Sequence, residues 1–437
     1  MESLVIVGAS LAGLSAARAA RNYGFAGRVV IIGDEVQRPY DRPPLSKDFL
    51  AGRIEIEDLT LETDTEDLEA EWVLGTRAVS FDPLTRLVHL EDGTSIHAEA
   101  LVIATGASPR TLPPIAAAPN VVTLRTVADA QKLRELVGRG GRMVVIGAGF
   151  IGAEVASTAH ALGMEVTVLE KSPTPLCGPL GAQLGAVVAG LHERAGVELV
   201  CGAEIADFAL TDGSVSAVHL ADGRVLPAEV VVVGIGAVPN TGWLEGSGIE
   251  LGNGVVCDAV GATNIPGVVA VGDCAAWWDP VTGRHQRVEH WTGAAQRPGV
   301  AVSALLGADP ATLPAVKPPY FWSDQYGTRL QFAGNASRAE RVVYEHGGPG
   351  EDSLLAVYYA GDQPVGVLAW DQTKLFCRWR KTIEKLAAAA VPIPAPQHST
   401  AAVAAVAAAA PAAVAAIHTT TVHAATVHTD TALPTAV

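Results

Sequence analysis

A chain of 437 residues is long enough for about three domains of ~150 residues, with a sizeable buried core. Hydrophobic residues make up 49% and charged residues 17%, a globular balance, and a formal net charge of -16 excludes a protein that coats nucleic acid. The five cysteines, Cys177, Cys201, Cys257, Cys274 and Cys377, form no C-x-x-C or other close pair, so no metal site and no dithiol redox centre is signalled.

The N-terminus runs directly into an apolar strand, Leu4 to Val7, with no basic start, hydrophobic region and cleavage site, which predicts a cytoplasmic address. Gly8-Ala9-Ser10-Leu11-Ala12-Gly13 follows, then an Ala-rich helix over Leu14 to Arg21 and a second strand, Val29 to Ile32. Gly8 permits a tight turn and Gly13 lets the helix approach the strand, while Ser10 stands where the usual fingerprint has its middle glycine. Leu101 to Ala104 reads as another strand of this unit, ending at Thr105-Gly106.

The grammar then repeats. Met143 to Ile146 predicts a strand, Gly147-Ala148-Gly149-Phe150-Ile151-Gly152 a turn, Ala153 to Leu162 a helix, and Val166 to Leu169 a strand closing on Glu170. Val230 to Val233 meets Gly234-Ile235-Gly236, and Gly267 to Val271 meets Gly272-Asp273. Strand–helix–strand units of this kind make parallel sheets. The second unit, residues 111–240, is expected to be inserted into the first, 1–110 with 241–316. From residue 317 to 386 short aromatic-rich strands, such as Leu354 to Tyr359 and Val365 to Trp370, and a helix near Thr373 to Leu386 predict a separate α+β domain. Residues 387–437 are a low-complexity Ala-rich tail that reads as disordered. Its apolar part is broken by Pro411 and shorter than the ~20 residues a membrane span needs, and His398, His418, His423 and His428 are too irregularly spaced for a metal tract.

A dinucleotide carries a pyrophosphate that sits against bare backbone at a helix N-terminus. The first turn alone is equally a structural turn. The second has all three glycines, and Glu170 is spaced to accept hydrogen bonds from an adenosine 2′-hydroxyl and to repel a 2′-phosphate, which favours NADH; the plainer reading is a solvated strand end. Two such sites in one chain imply a flavin receiving hydride from a nicotinamide.

The stretches Gly33-Asp34-Glu35, Pro39-Tyr40-Asp41-Arg42-Pro43-Pro44-Leu45-Ser46-Lys47, Val271-Gly272-Asp273-Cys274, Val288-Glu289-His290-Trp291 and Trp322-Ser323-Asp324-Gln325-Tyr326 resemble the FAD-dependent NADH:ferredoxin reductases of bacterial Rieske dioxygenase and cytochrome P450 systems. The resemblance spans residues 3 to 386. It implies two Rossmann-like dinucleotide domains of the pyridine nucleotide-disulfide oxidoreductase kind, FAD at 1–110 and 241–316, NAD at 111–240, and an α+β domain at 317–386. It implies transfer of hydride from NADH to FAD, then of single electrons to a ferredoxin or rubredoxin that feeds an oxygenase, by a monomer or weak dimer. The missing cysteine pair agrees with electron delivery rather than thiol exchange.

By the same resemblance Gly8, Ser10, Ala12 and Gly13 form the FAD pyrophosphate turn, Asp34 and Glu35 sit near its ribose, and Arg42 faces phosphate. Thr105, Gly106, Ala78 and Arg125 are further FAD positions, Asp273 meets the ribityl chain, and the Trp291 backbone meets the pyrimidine ring. Gly147, Gly149, Ile151, Gly152, Glu170 and Gly236 form the NAD site. Lys47 is expected beside the flavin, paired with Glu154, as the catalytic pair; on the residues alone each is equally a surface charge. After Trp291 the chain departs from the family pattern of Asn and then Gln-Gly: it has Gly293 and Arg297-Pro298, and Pro298 is expected to kink or restart the helix. Lys374, Arg378, Arg380 and Lys381 read first as a solvated face and, against an acidic carrier, as a steering patch. Trp322 reads as core or as an electron conduit. The rival readings are a carrier-independent NADH oxidase or quinone reductase, and a redox-sensing protein resembling apoptosis-inducing factor.

Overall fold

The structure, a computed structural model, describes residues 1–63, 65–309, 312, 313 and 316–390. Five parallel strands form the first sheet, in the order Val268–Ala270, Ala100–Ile103, Ser3–Val7, Arg28–Gly33 and Ala70–Leu74. The Val, Ile and Leu runs of the first four are buried on both faces, as strands between two layers of other structure must be, while Ala70–Leu74 at the edge is half-buried. Helix α1 (Leu11–Asn22) makes the crossover and starts three residues before the predicted Leu14, because Leu11-Ala12-Gly13 already form its first turn after an extended Ser10 (φ -112°). The turn needs its glycine: Gly8 has φ +123°, and a Cβ there would stand 2.0 Å from the Ala104 carbonyl oxygen.

Helix α2 (Val127–Val137), which the apolar pattern did not announce, is set by a capping box. The Asp129 N–H donates to Thr126 Oγ1 at 3.2 Å and the Thr126 N–H to the Asp129 carboxylate at 2.9 Å. It leads into the second parallel sheet, in the order Glu198–Cys201, Glu165–Glu170, Arg142–Ile146, Val230–Val233 and Val121–Val122. Its crossovers are α3 (Phe150–Ala161), which also begins inside the glycine turn, and α4 (Cys177–Ala195).

The chain passes between the two sheets twice, at adjacent points. Ala107–Pro109 leaves and Ala237–Pro239 returns as a two-stranded antiparallel ribbon, extended by Arg110 N–H to the Gly236 carbonyl at 2.8 Å. Beyond it Val268–Ala270 joins the edge of the first sheet, and α5 (Trp291–Leu305) packs against α1. Pro298 does not restart α5, contrary to expectation: one helix runs through it. Ala294, the residue whose carbonyl a proline ring at 298 would crowd, is flanked by Gly293 and Ala295, and these small side chains leave room to adjust.

The C-terminal part is a five-stranded antiparallel sheet, in the order Tyr320–Gln325, Thr328–Gly334, Gln363–Trp370, Leu354–Ala360 and Arg341–Gly347, covered by α6 (Thr373–Ala389). The α6 helix buries Phe376 and Ile383 and continues three residues past Leu386, into the span assigned to the tail. The tail from 391 on, with its four histidines, lies outside the described residues. Among the described residues no helix is long and apolar enough to cross a membrane.

Candidate functional site

The helices α1, α3 and α5 point their N-termini at one cleft of about 600 Å³, within the range of ~300–1,000 Å³ typical of ligand pockets. Ser10, Gly149 and Trp291 stand on its wall, and none of the three helices has an acidic residue in its first turn. The orphan N–H groups and helix dipoles therefore present positive potential to the same space. Ala12, Arg42, Lys47, Gly106, Arg125, Asp273, Ile151, Glu154, Glu170 and Gly236 share that wall, drawn from both parallel-sheet units.

The wall's waist is the Lys47–Glu154 pair. Lys47 follows the short turn Pro43–Ser46, and Glu154 lies on α3, one turn past the second glycine turn. Lys47 Nζ stands 2.6 Å from Glu154 Oε2, and Glu154 is only 3% exposed. Such a carboxylate needs further donors, and it has them. Ser46 Oγ donates to Oε2 at 2.5 Å, Ser323 Oγ to Oε1 at 2.8 Å, and the Asp324 N–H to Oε1 at 3.3 Å. The α+β part thus reaches the waist through the strand Tyr320–Gln325. Ser46 and Ser323 both lie inside stretches that carry the resemblance, yet neither was singled out, because a serine's partner 108 or 169 residues away leaves no local pattern.

At the first turn Arg42 is fixed by three acceptors: Glu35 Oε1 at 2.5 Å, the Arg125 carbonyl at 2.7 Å and Ser10 Oγ at 3.3 Å. Tyr40 donates to the other Glu35 oxygen at 2.5 Å, so Glu35 braces Arg42. Burial pushes the Tyr40 phenol well above its usual range and keeps it a donor. Arg125 Nη2 donates to Asp273 Oδ2 at 2.8 Å, across the mouth of the strand that ends at Ile103. At the second turn Glu170 accepts from Ala148 N–H at 2.9 Å and Ser172 N–H at 2.7 Å, which fixes its carboxylate beside Gly149.

Four predicted residues lie off this wall, the first of them Glu35, which stands behind Arg42. Asp34 is exposed and 3.6 Å from Arg77; Ala78 is buried in the strand Ala78–Asp82; Thr105 braces the ribbon, its hydroxyl donating to the Asn240 carbonyl at 2.6 Å. Gly8, Gly13, Gly147 and Gly152 stand behind it, where they shape the turns.

The wall suits two dinucleotides on grounds independent of motif. A Cβ on Gly13 would meet the Gly8 carbonyl oxygen at 1.8 Å and one on Gly152 that of Gly147 at 2.0 Å, so each helix packs directly on its strand and turns its orphan N–H groups to the cleft, where a phosphate can accept from them. His290, at the start of α5, lines the cleft with a buried Nδ1 that has no partner among the described residues. Burial pushes its imidazole down to about 4, so it is neutral at pH 7 and ready for a polar ligand atom. Cys177 lines the cleft too, but all five cysteines are unpaired.

Residues 2–297 match the family model of the pyridine nucleotide-disulphide oxidoreductases, and residues 320–398 that of the reductase C-terminal domain. The chain is 35% identical over 384 residues to the ferredoxin–NAD(+) reductase subunit of the benzene 1,2-dioxygenase system of Pseudomonas putida, covering 87% of this chain and 92% of that one. It is 34% identical to putidaredoxin reductase of Pseudomonas putida, with 84% and 88% covered. The crystal structure of the covalent putidaredoxin reductase–putidaredoxin complex superposes with a TM-score of 0.83 at 30% identity, covering 94% of this chain and 99% of that one. The chain therefore belongs to the pyridine nucleotide-disulphide oxidoreductase family, as an FAD- and NAD(H)-using oxidoreductase of its ferredoxin reductase branch.

Proposed function

We propose that the chain oxidises NADH and delivers electrons one at a time to a ferredoxin or rubredoxin. The single observation that carries this reading is the shared cleft, in which both glycine turns and the buried Lys47–Glu154 pair face one space. FAD, when bound, supplies the conversion of a two-electron donor into two single electrons. The residues supply the geometry. Residues 1–110 and 241–316 hold FAD, with Gly8, Ser10, Ala12 and Gly13 at the pyrophosphate, Arg42 facing phosphate and Asp273 and Arg125 at the ribityl chain. Asp34, Glu35, Ala78, Thr105 and Gly106 support that site. Residues 111–240 hold NADH, with Gly147, Gly149, Ile151 and Gly152 at its pyrophosphate, Glu170 at the adenosine ribose and Gly236 at the cleft edge.

Lys47 places a fixed positive charge where negative charge accumulates on reduction, and Glu154 holds the ammonium there while cancelling its cost of burial. The N-terminus of α5 at Trp291 adds the field of its dipole on the other side. No residue acts as a nucleophile in this scheme.

The carrier docks over residues 317–386. Trp291 is 38% exposed; its ring lies 6.1 Å from that of Trp322, which lies 6.0 Å from Tyr320. These rings lead from the cleft wall toward α6, whose exposed Lys374, Arg378 and Lys381 recur at helical spacing. Arg380 is spent on Glu384 at 2.8 Å and on the Tyr320 ring. We place the protein in the cytoplasm, where its five thiols stay reduced, as a monomer or weak dimer.

The test is NADH-dependent reduction of a panel of [2Fe–2S] ferredoxins and rubredoxins by the FAD-loaded protein. At least one carrier should be reduced rapidly, with a rate that falls as salt rises. Turnover with oxygen or quinone and with no carrier would overturn the proposal.

A further inference from the structure

Helix α5 separates two cavities. Trp291 and Ala294 face the dinucleotide cleft, while Thr292, Gly293, Gln296, Arg297 and Val300 fall on another arc and line a second cavity of about 270 Å³. Val288 and the segment Val316–Pro319 close it. Of the three positions at which the sequence departs from the family pattern here, Gly293, Arg297 and Pro298, the first two face this cavity.

Gly293 is not demanded by helix packing. A Cβ there would meet only Val288, at 3.8 and 3.9 Å, which is ordinary contact. Glycine inside a helix costs about 1 kcal/mol relative to alanine, and what its missing side chain leaves here is space. Arg297 is a partly buried cation whose guanidinium lies over the Trp277 ring, Cζ 5.0 Å from the centroid. Among the described residues it has neither a carboxylate at ion-pair distance nor a hydrogen-bond acceptor. Asp279 acts on it only from a distance, its oxygens taken by Val281 N–H at 2.9 Å and Thr282 Oγ1 at 2.8 Å. Stacking on a ring satisfies a cation's charge in part but none of its five N–H donors. Lys317 adds a second, exposed cation at the rim. The remaining lining is apolar: Val288, Val300, Val316, Pro318 and Pro319.

We propose that this cavity binds a small monocarboxylate with an apolar body, the carboxylate accepting from Arg297 and the body resting on Val288, Val300 and Pro319. An isolated 150 Å³ cavity accommodates benzene, by about the same measure, so a one-ring acid fits with room for its carboxylate. An acceptor answers a partly buried guanidinium whose N–H groups meet no protein acceptor among the described residues, and an apolar body answers the rest of the wall. The site lies apart from both glycine turns and stands whether or not a ferredoxin is the electron acceptor.

The test is calorimetric titration of the FAD-loaded protein with benzoate, benzamide and inorganic phosphate at constant ionic strength. Benzoate should saturate one site. Benzamide, and benzoate on Arg297→Gln, should bind about 10-fold or more weakly, as for loss of a charge-assisted hydrogen bond. Gly293→Leu, which fills the cavity, should abolish binding while the flavin spectrum stays unchanged. Hydrogen exchange of the unmutated protein depends on no variant folding, and benzoate should protect residues 288–300 and 316–319. No saturable benzoate binding, phosphate binding as tight as benzoate, or protection at the glycine turns instead would each overturn the proposal.

Discussion

At the first glycine turn a Cβ on Gly13 would stand 1.8 Å from the Gly8 carbonyl oxygen, and at the second a Cβ on Gly152 would stand 2.0 Å from that of Gly147. The outer glycines are thus dictated by the same contact of helix on strand. The middle positions differ. Ser10 carries a hydroxyl that accepts from Arg42, whereas a Cβ on Gly149 would touch only the Gly234 carbonyl oxygen, at 3.9 Å. The acids differ as well: Glu35 is consumed by Arg42 and Tyr40, while Glu170 is steadied by backbone N–H groups alone and keeps its place on the cleft. The outer glycines answer to the chain's own backbone, and the middle residue and the acid answer to what the cleft holds. A serine at the middle therefore tunes the first turn without closing it.

The largest effects should come from the outer glycines, and they should separate the two turns. Gly13→Ala should give protein that is colourless or nearly so, and Gly152→Ala protein that keeps its yellow colour but binds NADH about 10–100-fold more weakly, as overpacking of 1–3 kcal/mol demands. Visible spectra and NADH titration check both; equal loss of flavin in the two would erase the division of labour. Next comes the pair that joins the turns. Glu154→Ala leaves Lys47, Ser46 and Ser323 facing each other without their acceptor, and removing one partner of a buried ion pair costs about 3–5 kcal/mol. Stopped-flow reduction by NADH should slow about 10–100-fold with FAD retained; unchanged traces would remove the pair from the reaction.

A smaller effect is expected from Arg42→Lys, which loses the fork that spans Glu35, Ser10 and the Arg125 carbonyl. FAD should leave about 10-fold faster, as for loss of one charge-assisted contact. An unaltered release rate would mean that Arg42 serves only to hold Glu35. The smallest effect concerns how the second unit is fastened to the C-terminal sheet. His192 of α4 hydrogen-bonds Tyr326 at 2.7 Å and is pushed by burial from 6.5 down to about 4. It is neutral in the fold, while the unfolded chain takes a proton near 6.5, so its contribution is complete above that pH and is lost as pH falls toward 4. Between pH 7 and 4.5 His192→Gln should lose less stability than the unmutated protein, by roughly 1–3 kcal/mol in urea melts.

Much of this arrangement is legible in the chain. The apolar strands beside each turn and the return of the chain to its first sheet follow from periodicity, and the Lys47–Glu154 pairing from what the resemblance implies. Both helices start earlier than the apolar pattern places them, because Leu11-Ala12-Gly13 and Phe150-Ile151-Gly152 do double duty as turn and first helical turn. Helix α2 carries its signal in Thr126 and Asp129 rather than in a long apolar stripe. Pro298 does not break α5, because its effect depends on the small residues a turn earlier and not on the proline alone. Ser323, Asp273 with Arg125, and the unpaired Arg297 are products of folding, each defined by groups far away in sequence.

The ribbon of Ala107–Pro109 and Ala237–Pro239 has one more consequence. Because the chain enters and leaves the second unit through hydrogen-bonded neighbours, both crossings are fixed at one place. The ribbon does not act alone: Val127 and Ala130 pack in one core with Tyr40, Leu45, Phe49 and Leu59, and Arg125 meets both Arg42 and Asp273, so a side-chain seam fastens the two units beside it. Backbone and side chains together thereby hold the two units to the one cleft that they line.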